Sequence, residues 1–168
     1  EKLLAIIVYD NYKKEGISFI TPNEFSLQLG YMDHPENYVI KPHLHHPVKR
    51  ETIGTQEVII IKKGVIRVDF YSYDKEYLES RELSKGDVIL LITAGHGFTT
   101  LEPTIMIEVK NGPYVPEKDK EKFGSWLSRL NHSIGGAKYK KKSRKKKKKK
   151  KQVKTSQKKR KKHIVARK

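Results

Sequence analysis

The strongest constraint on this chain is the spacing of its apolar residues. Short runs of β-branched, aromatic and aliphatic side chains follow one another from the first positions: LLAIIVYD, ISFI, FSLQLGYM, NYVIKPHLHH, EVIII, VIRVDFYSY, YLESREL, DVILLI, GFTTL and PTIMIEVK. Turn-forming segments separate them, among them TPNE, DHPEN, KKG, SYDKE, SKGD and TAGHG. Runs of this length bounded by Gly, Pro, Asn and Asp suit strands, and their regular recurrence suits an antiparallel sandwich or barrel. No segment before residue 116 sustains the i, i+3, i+4 repeat of an amphipathic helix. The KKG at 62–64 reads as a compact hairpin turn joining EVIII to VIRVDFY, with Gly64 supplying the positive φ. Residues 116–131, PEKDKEKFGSWLSRLN, read as a short helix that packs Phe123, Trp126, Leu127 and Leu130 on the barrel, although Gly124 weakens it.

Charge divides the chain in two. The formal net charge is +18, but residues 138–168 hold 20 of the 37 Lys and Arg and none of the 19 acids. Residues 1–137 therefore carry 17 basic against 19 acidic residues, a net of −2. A nucleic-acid surface built on the folded part would need a basic patch there, so polyanion binding is confined to the tail. The reading is one domain over residues 1–130, followed by a Lys/Arg-rich tail over 132–168 too self-repelling and too poor in apolar residues to fold alone. With no cysteine, disulfides and thiolate metal sites are excluded. The longest apolar runs fall well short of the roughly 20 residues of a membrane-spanning helix. No signal peptide is recognisable in the residues present, and the expectation is a cytoplasmic protein.

The histidines stand out against this plain β pattern. In a strand, residues i and i+2 share a face, so His43 and His45 project together while Leu44 and His46 point the other way. A bulge at Pro42 would shift that parity. Glu57 shares a face with Ile59 and Ile61, and a carboxylate turned into the interior needs a cation or a hydrogen-bond donor. His96 sits in TAGHGF, where glycines on either side let the backbone bend. Four nitrogen and oxygen donors from three strands, His43, His45, Glu57 and His96, thus converge on a site suited to Mn, Fe, Ni, Co or Zn. The other candidates have plainer readings: His34, His132 and His163 are solvated, Tyr31, Tyr71 and Tyr73 pack in strands, and Arg67 pairs with Asp69 along one strand face.

These residues resemble the cupin superfamily, whose first motif reads G-x5-H-x-H-x3-4-E-x6-G. Asn37 stands at the leading Gly, His43 and His45 supply H-x-H, and Glu57 to Gly64 match E-x6-G. The second motif, G-x5-P-x-G-x2-H, is echoed from Gly86 to His96. The resemblance spans residues 20–112 and is similar in its wider pattern to small single-domain cupins of sugar and cell-surface polysaccharide gene sets. Two departures qualify it. Eleven residues, His46 and PVKRETIGTQ, separate His45 from Glu57 where the family has three or four, and Ile92 replaces the second motif's Pro with its histidine one position early.

The resemblance implies an all-β antiparallel jelly-roll barrel, the double-stranded β-helix, with a metal held at its mouth. It implies a metal-binding protein of carbohydrate metabolism, an enzyme acting on a small polar substrate by Lewis-acid or oxidative chemistry. Two alternatives stand beside it. One is a metal-free sugar-nucleotide isomerase or epimerase with His45 as base, oriented by His43 or Glu57. The other is a ligand-binding barrel whose tail holds polyanions by counterion release. Homodimerisation through sheet edges is also expected of such barrels.

Overall fold

A computed structural model describes residues 2–115, 118–127 and 164–167. These fall into two units, Glu1–Phe123 with His163–Lys168, and Gly124–Lys162. The first unit is built of ten strands: β1 Leu3–Val8, β2 Gly16–Phe19, β3 Gly30–Asp33, β4 Glu57–Lys63, β5 Val65–Tyr71, β6 Tyr77–Ser84, β7 Val88–Leu91, β8 Gly95–Thr100, β9 Ile105–Lys110 and β10 Ile164–Arg167. They form three sheets, a five-stranded one of order β10-β1-β7-β4-β9, a three-stranded one of order β6-β5-β8, and a separate β2-β3 pair. Every pairing is antiparallel. The all-β antiparallel expectation therefore holds. The two larger sheets do not close into a barrel among the described residues, because β8 and β9 each end a sheet with one edge unpaired.

Alternation explains how the sheets stack. Ile59 and Ile61 of β4 point to the same side as Ile89 and Leu91 of β7, and these meet Ile66, Val68 and Phe70 of β5 and Leu83 of β6 in one buried cluster. Apolar faces of two sheets thus enclose a single core, and removing them from water is the main stabilising term. On β5 the intervening residues face outward. There Asp69 is buried and accepts a forked pair from Arg67, Nε to Oδ1 at 2.8 Å and Nη2 to Oδ2 at 3.1 Å, while Ser80 Oγ donates to Oδ1 at 2.5 Å. The pairing of Arg67 with Asp69 along one face is as the alternation of VIRVDFY requires.

Gly64 does something other than close a hairpin. Its φ is +83°, as the turn requires, but β4 pairs with β7 and β9 whereas β5 pairs with β6 and β8. One residue is too short to fold two strands back on each other, so Gly64 instead makes the corner at which the chain leaves one sheet for the other. The corner is tight: a Cβ there would lie 2.5 Å from the Pro103 carbonyl oxygen and 2.7 Å from Thr104 Oγ1.

Three other expectations meet a different outcome. NYVIKPHLHH forms no strand; residues 34–56 are irregular apart from a turn at 36–37 and a bend at Gly54, and residues 35–55 are all exposed. Pro42 and Pro47 withhold ladder donors, and the segment has no neighbouring strand to bond. FSLQLGYM is a strand only from Gly30, because Gln28 folds its own neighbourhood into a loop by donating to the carbonyls of Pro22, Asn23 and Phe25. Within 118–127, helical backbone is confined to Trp126 and Leu127, and the rest of 116–131 lies outside the described residues. In the tail, IVAR at 164–167 pairs with β1 as β10, being apolar and β-branched where its neighbours are cationic. Residues 128–163, which include His132 and His163, are outside the described set.

Two substitutions test this frame. Gly64→Ala combines a left-handed backbone with a collision against main chain, and is expected to lower stability by about 2 kcal/mol or more in urea unfolding; an unchanged midpoint would show that the corner is not tight. Arg67→Ala leaves the buried Asp69 carboxylate without its cation and is expected to cost about 3 kcal/mol. A loss no greater than about 0.5 kcal/mol, typical of a surface ion pair, would contradict that role.

Candidate functional site

One end of the sandwich interior is polar. Across the five-stranded sheet, Leu91, Glu57 and Lys110 stand in one row, and across the three-stranded sheet Glu79, Phe70 and His96 stand in another. Cross-strand partners share a face, so these rows look into the same space as the core residues beside them. Glu57 opens β4 two residues before buried Ile59, which fixes its direction. His96 is drawn inward in the same way, as the partner of buried Phe70; expected in the turn before its strand, it lies within β8 instead.

The two residues meet. His96 Nε2 lies 3.1 Å from Glu57 Oε2, with side chains 28% and 14% exposed, so the contact is largely shielded yet reachable from solvent. Lys110 Nζ is 3.9 Å from the other Glu57 oxygen and 2.8 Å from Glu108 Oε1. On the three-stranded sheet, Glu79 forms an ion pair with Arg81, the inward residue two positions further along β6. The His96 ring tilts against Phe98, with centroids 5.5 Å apart.

The hydrogen bond from His96 holds the Glu57 carboxyl below its ordinary value of 4.5. Burial acts in the opposite sense, and the positive charges of His96, Lys110 and Lys120 add to the lowering. Glu57 is thereby kept ionised and acceptor-only, fit to orient an imidazole or to bind a cation.

The other two candidates lie elsewhere. His43 and His45 sit in the exposed segment, their rings edge to face with centroids 5.1 Å apart. His43 Nδ1 is 3.0 Å from the carbonyl oxygen of Lys41. Strand parity therefore does not apply to them here, since the segment is not in a sheet. Among the described residues no three His, Asp or Glu side chains cluster closely enough to hold a metal ion. The four expected donors come as two pairs, Glu57 with His96 and His43 with His45. At the base of the segment, Asn111 bonds both Gln56 N at 2.8 Å and the Gly54 carbonyl at 3.0 Å, and Gln56 Oε1 accepts from Leu27 N at 3.2 Å. The segment is thus tied down at Gly54 and Gln56 and exposed over residues 35–55.

Two non-glycine residues near these positions have a left-handed backbone, Asn37 with a φ of 62° and Ala94 with a φ of 65°. Asn tolerates that region better than most residues. Sequence reading overlooked Lys110, Glu79 and Arg81. For Glu79 and Arg81 a signal was present, since they alternate with Leu83 in YLESREL, whereas Lys110 is brought opposite Glu57 only by the pairing of β4 with β9.

Comparison with protein-family models, with curated proteins and with solved structures found no match for this chain. Among the described residues, no helix is long and apolar enough to cross a membrane.

The lowered Glu57 pKa fixes a pH dependence. A folded value below the unfolded one means the stabilisation is present above about pH 4.5 and is lost as pH falls through the folded value. Wild-type protein is therefore expected to lose more thermal stability than Glu57→Gln between about pH 5 and pH 3, whereas at pH 7 the variant is the less stable of the two. Parallel melting curves across that range, with no difference in slope, would rule out the Glu57–His96 interaction.

Proposed function

We propose that this chain is a cupin-type metal-binding jelly roll acting on a small polar or carbohydrate substrate. The observation that carries the reading is the meeting of Glu57 and His96 at 3.1 Å, from strands of two different sheets, inside the same end of the sandwich. E-x6-G and the glycine-flanked histidine lie far apart in sequence, and a site is the simplest reason for both to turn inward at one place. Support comes also from the sheets: β4 and β7 are adjacent in one, β5 and β8 in the other, with the two candidate side chains between them.

The residues present suit a divalent first-row ion in kind, as imidazole nitrogens and a carboxylate kept ionised below its ordinary range. His96 and Glu57 would form the half of the donor set fixed on strands, and His43 and His45 the half carried by the exposed segment. Once bound, such an ion supplies Lewis acidity, polarising a carbonyl or hydroxyl oxygen. The chain's own contributions are distinct from that. Glu57 accepts from His96 and fixes its ring, Lys110 balances the carboxylate charge and lies within reach of an anionic group, and Phe98 offers an apolar wall beside the imidazole.

The Glu57–His96 contact also favours a second reading, a metal-free isomerase or epimerase. There the base oriented by a carboxylate is His96, since Glu57 meets that residue and His45 lies apart. Its substrate would be a keto sugar carrying an acidic C–H beside the carbonyl.

Elemental analysis after reconstitution with Mn, Fe, Ni, Co or Zn separates the two. The metal reading expects close to one equivalent in wild-type protein, reduced at least about tenfold in His96→Ala and in His43→Ala/His45→Ala. Less than about a tenth of an equivalent of every metal in wild-type protein would dispose of it. Turnover of a keto-sugar nucleotide that survives chelation and disappears in His96→Ala would then support the second reading.

A further inference from the structure

The longest exposed stretch among the described residues, 35–55, has a charge pattern unlike the rest of the fold. Within it, residues 37–50, NYVIKPHLHHPVKR, carry Lys41, Lys49 and Arg50 and no acid, whereas residues 1–137 as a whole hold 17 basic against 19 acidic residues. Lys49 lies 3.5 Å from Glu51 with both side chains almost fully in water, where such a pair is weak, and Lys41 and Arg50 make no ion pair among the described residues. Between these cations, apolar side chains are turned outward: Val39 is 75% exposed, Ile40 54%, Leu44 74% and Val48 61%. Pro42 and Pro47 withhold backbone donors, so the stretch stays irregular and both kinds of side chain remain outside any sheet. β3, which leads into it, adds Met32, opposite Ile17 of β2, and both are more than half exposed.

We infer that residues 37–50 dock on the surface of a membrane rich in anionic lipid, with Val39, Ile40, Leu44 and Val48 at the boundary of headgroups and acyl chains and Lys41, Lys49 and Arg50 on the lipid phosphates. Ile40 precedes Lys41 and Val48 precedes Lys49, so insertion of the one brings the other to headgroup depth, where a long cationic side chain reaches back to the phosphates. Neither kind of residue suffices alone: a little buried apolar surface gives marginal, reversible membrane binding, and a polybasic segment is the second signal that makes it stable. The rest of the chain strengthens that second signal. Residues 138–168 hold 20 Lys and Arg and no acid, bringing the formal net charge to +18, and an anionic leaflet attracts such a chain across about a Debye length. Irregular backbone is not accommodated in hydrocarbon, so the segment lies in the wet headgroup region and does not cross. A nucleic acid fits less well. Single strands are held by bases stacked on aromatic rings, whereas the exposed side chains here are chiefly aliphatic, and Tyr38, the one Phe, Tyr or Trp of the stretch, already stacks on His34 with centroids 4.0 Å apart. The docking does not depend on the metal reading, and none of its apolar or cationic residues is a candidate metal donor.

Sedimentation of the full chain with vesicles tests this. Binding is expected to vesicles of about 30% phosphatidylserine in phosphatidylcholine, and to be at least about tenfold weaker to phosphatidylcholine alone. Val39→Ser/Ile40→Ser/Leu44→Ser/Val48→Ser and, separately, Lys41→Gln/Lys49→Gln/Arg50→Gln are each expected to weaken binding to the anionic vesicles at least about tenfold. All seven positions are exposed, so both variants are expected to keep the wild-type melting temperature. Leu44→Trp reports insertion in an otherwise unaltered chain: its emission is expected to move to the blue when anionic vesicles are added, a shift that wild-type protein, with Trp126 alone, does not show. No binding to anionic vesicles overturns the inference. So does either variant binding like wild type, which would assign the attraction to the charge of residues 138–168 alone. Retention of single-stranded RNA without binding to vesicles overturns it in favour of a nucleic acid.

Discussion

Gly64 lets one continuous stretch, residues 57–71, belong to two sheets. The residues before the corner place Glu57, Ile59 and Ile61 on the inner face of one layer, and those after it place Ile66, Val68 and Phe70 on the inner face of the other. Because the corner is a single residue, the two layers are locked at a fixed offset, and the core between them follows. So does the polar end of the interior, since the alternation that buries Ile59 commits Glu57 to the same side. Any side chain at 64 would strike the Pro103 carbonyl, which ties the corner to the turn that launches β9.

The polar interior is tolerable because its groups answer one another. A carboxylate facing a core is costly alone, but Glu57 accepts from His96, Lys110 stands near it, and Glu79 is paired with Arg81. The same arrangement gathers an ionised carboxylate, an imidazole and a cation at one end of the sandwich. On the outer face, by contrast, Asp69 is fully engaged by Arg67 and Ser80, a structural knot with nothing left to offer a ligand.

Much of this was legible in the chain. Period-two alternation placed β4, β5, β7 and β9 closely, and it placed Glu57 on the core face, because a strand's two faces are decided by its own residues. The Arg67–Asp69 pair followed from the same rule. Alternation failed at NYVIKPHLHH, where the pattern is strand-like but no neighbour is present to receive it: a strand exists only in a ladder. It failed also at KKG, since local turn chemistry gives the positive φ of Gly64 without saying which strands will pair on either side of it.

What the sequence by itself determined is therefore most of the strands of the two larger sheets, the apolar side of β4 and β5, the inward turn of Glu57 and the separation of a basic tail from a nearly neutral body. Only the tertiary structure decided that His96, from a strand in the opposite sheet, is the partner of Glu57, and that His43 and His45 stand apart from them. The reason lies in the range of the forces. Apolar periodicity is written over a few adjacent residues, whereas the approach of His96 to Glu57 depends on how two sheets stack across residues 57–96, and that is set by the shared core and by the corner at Gly64.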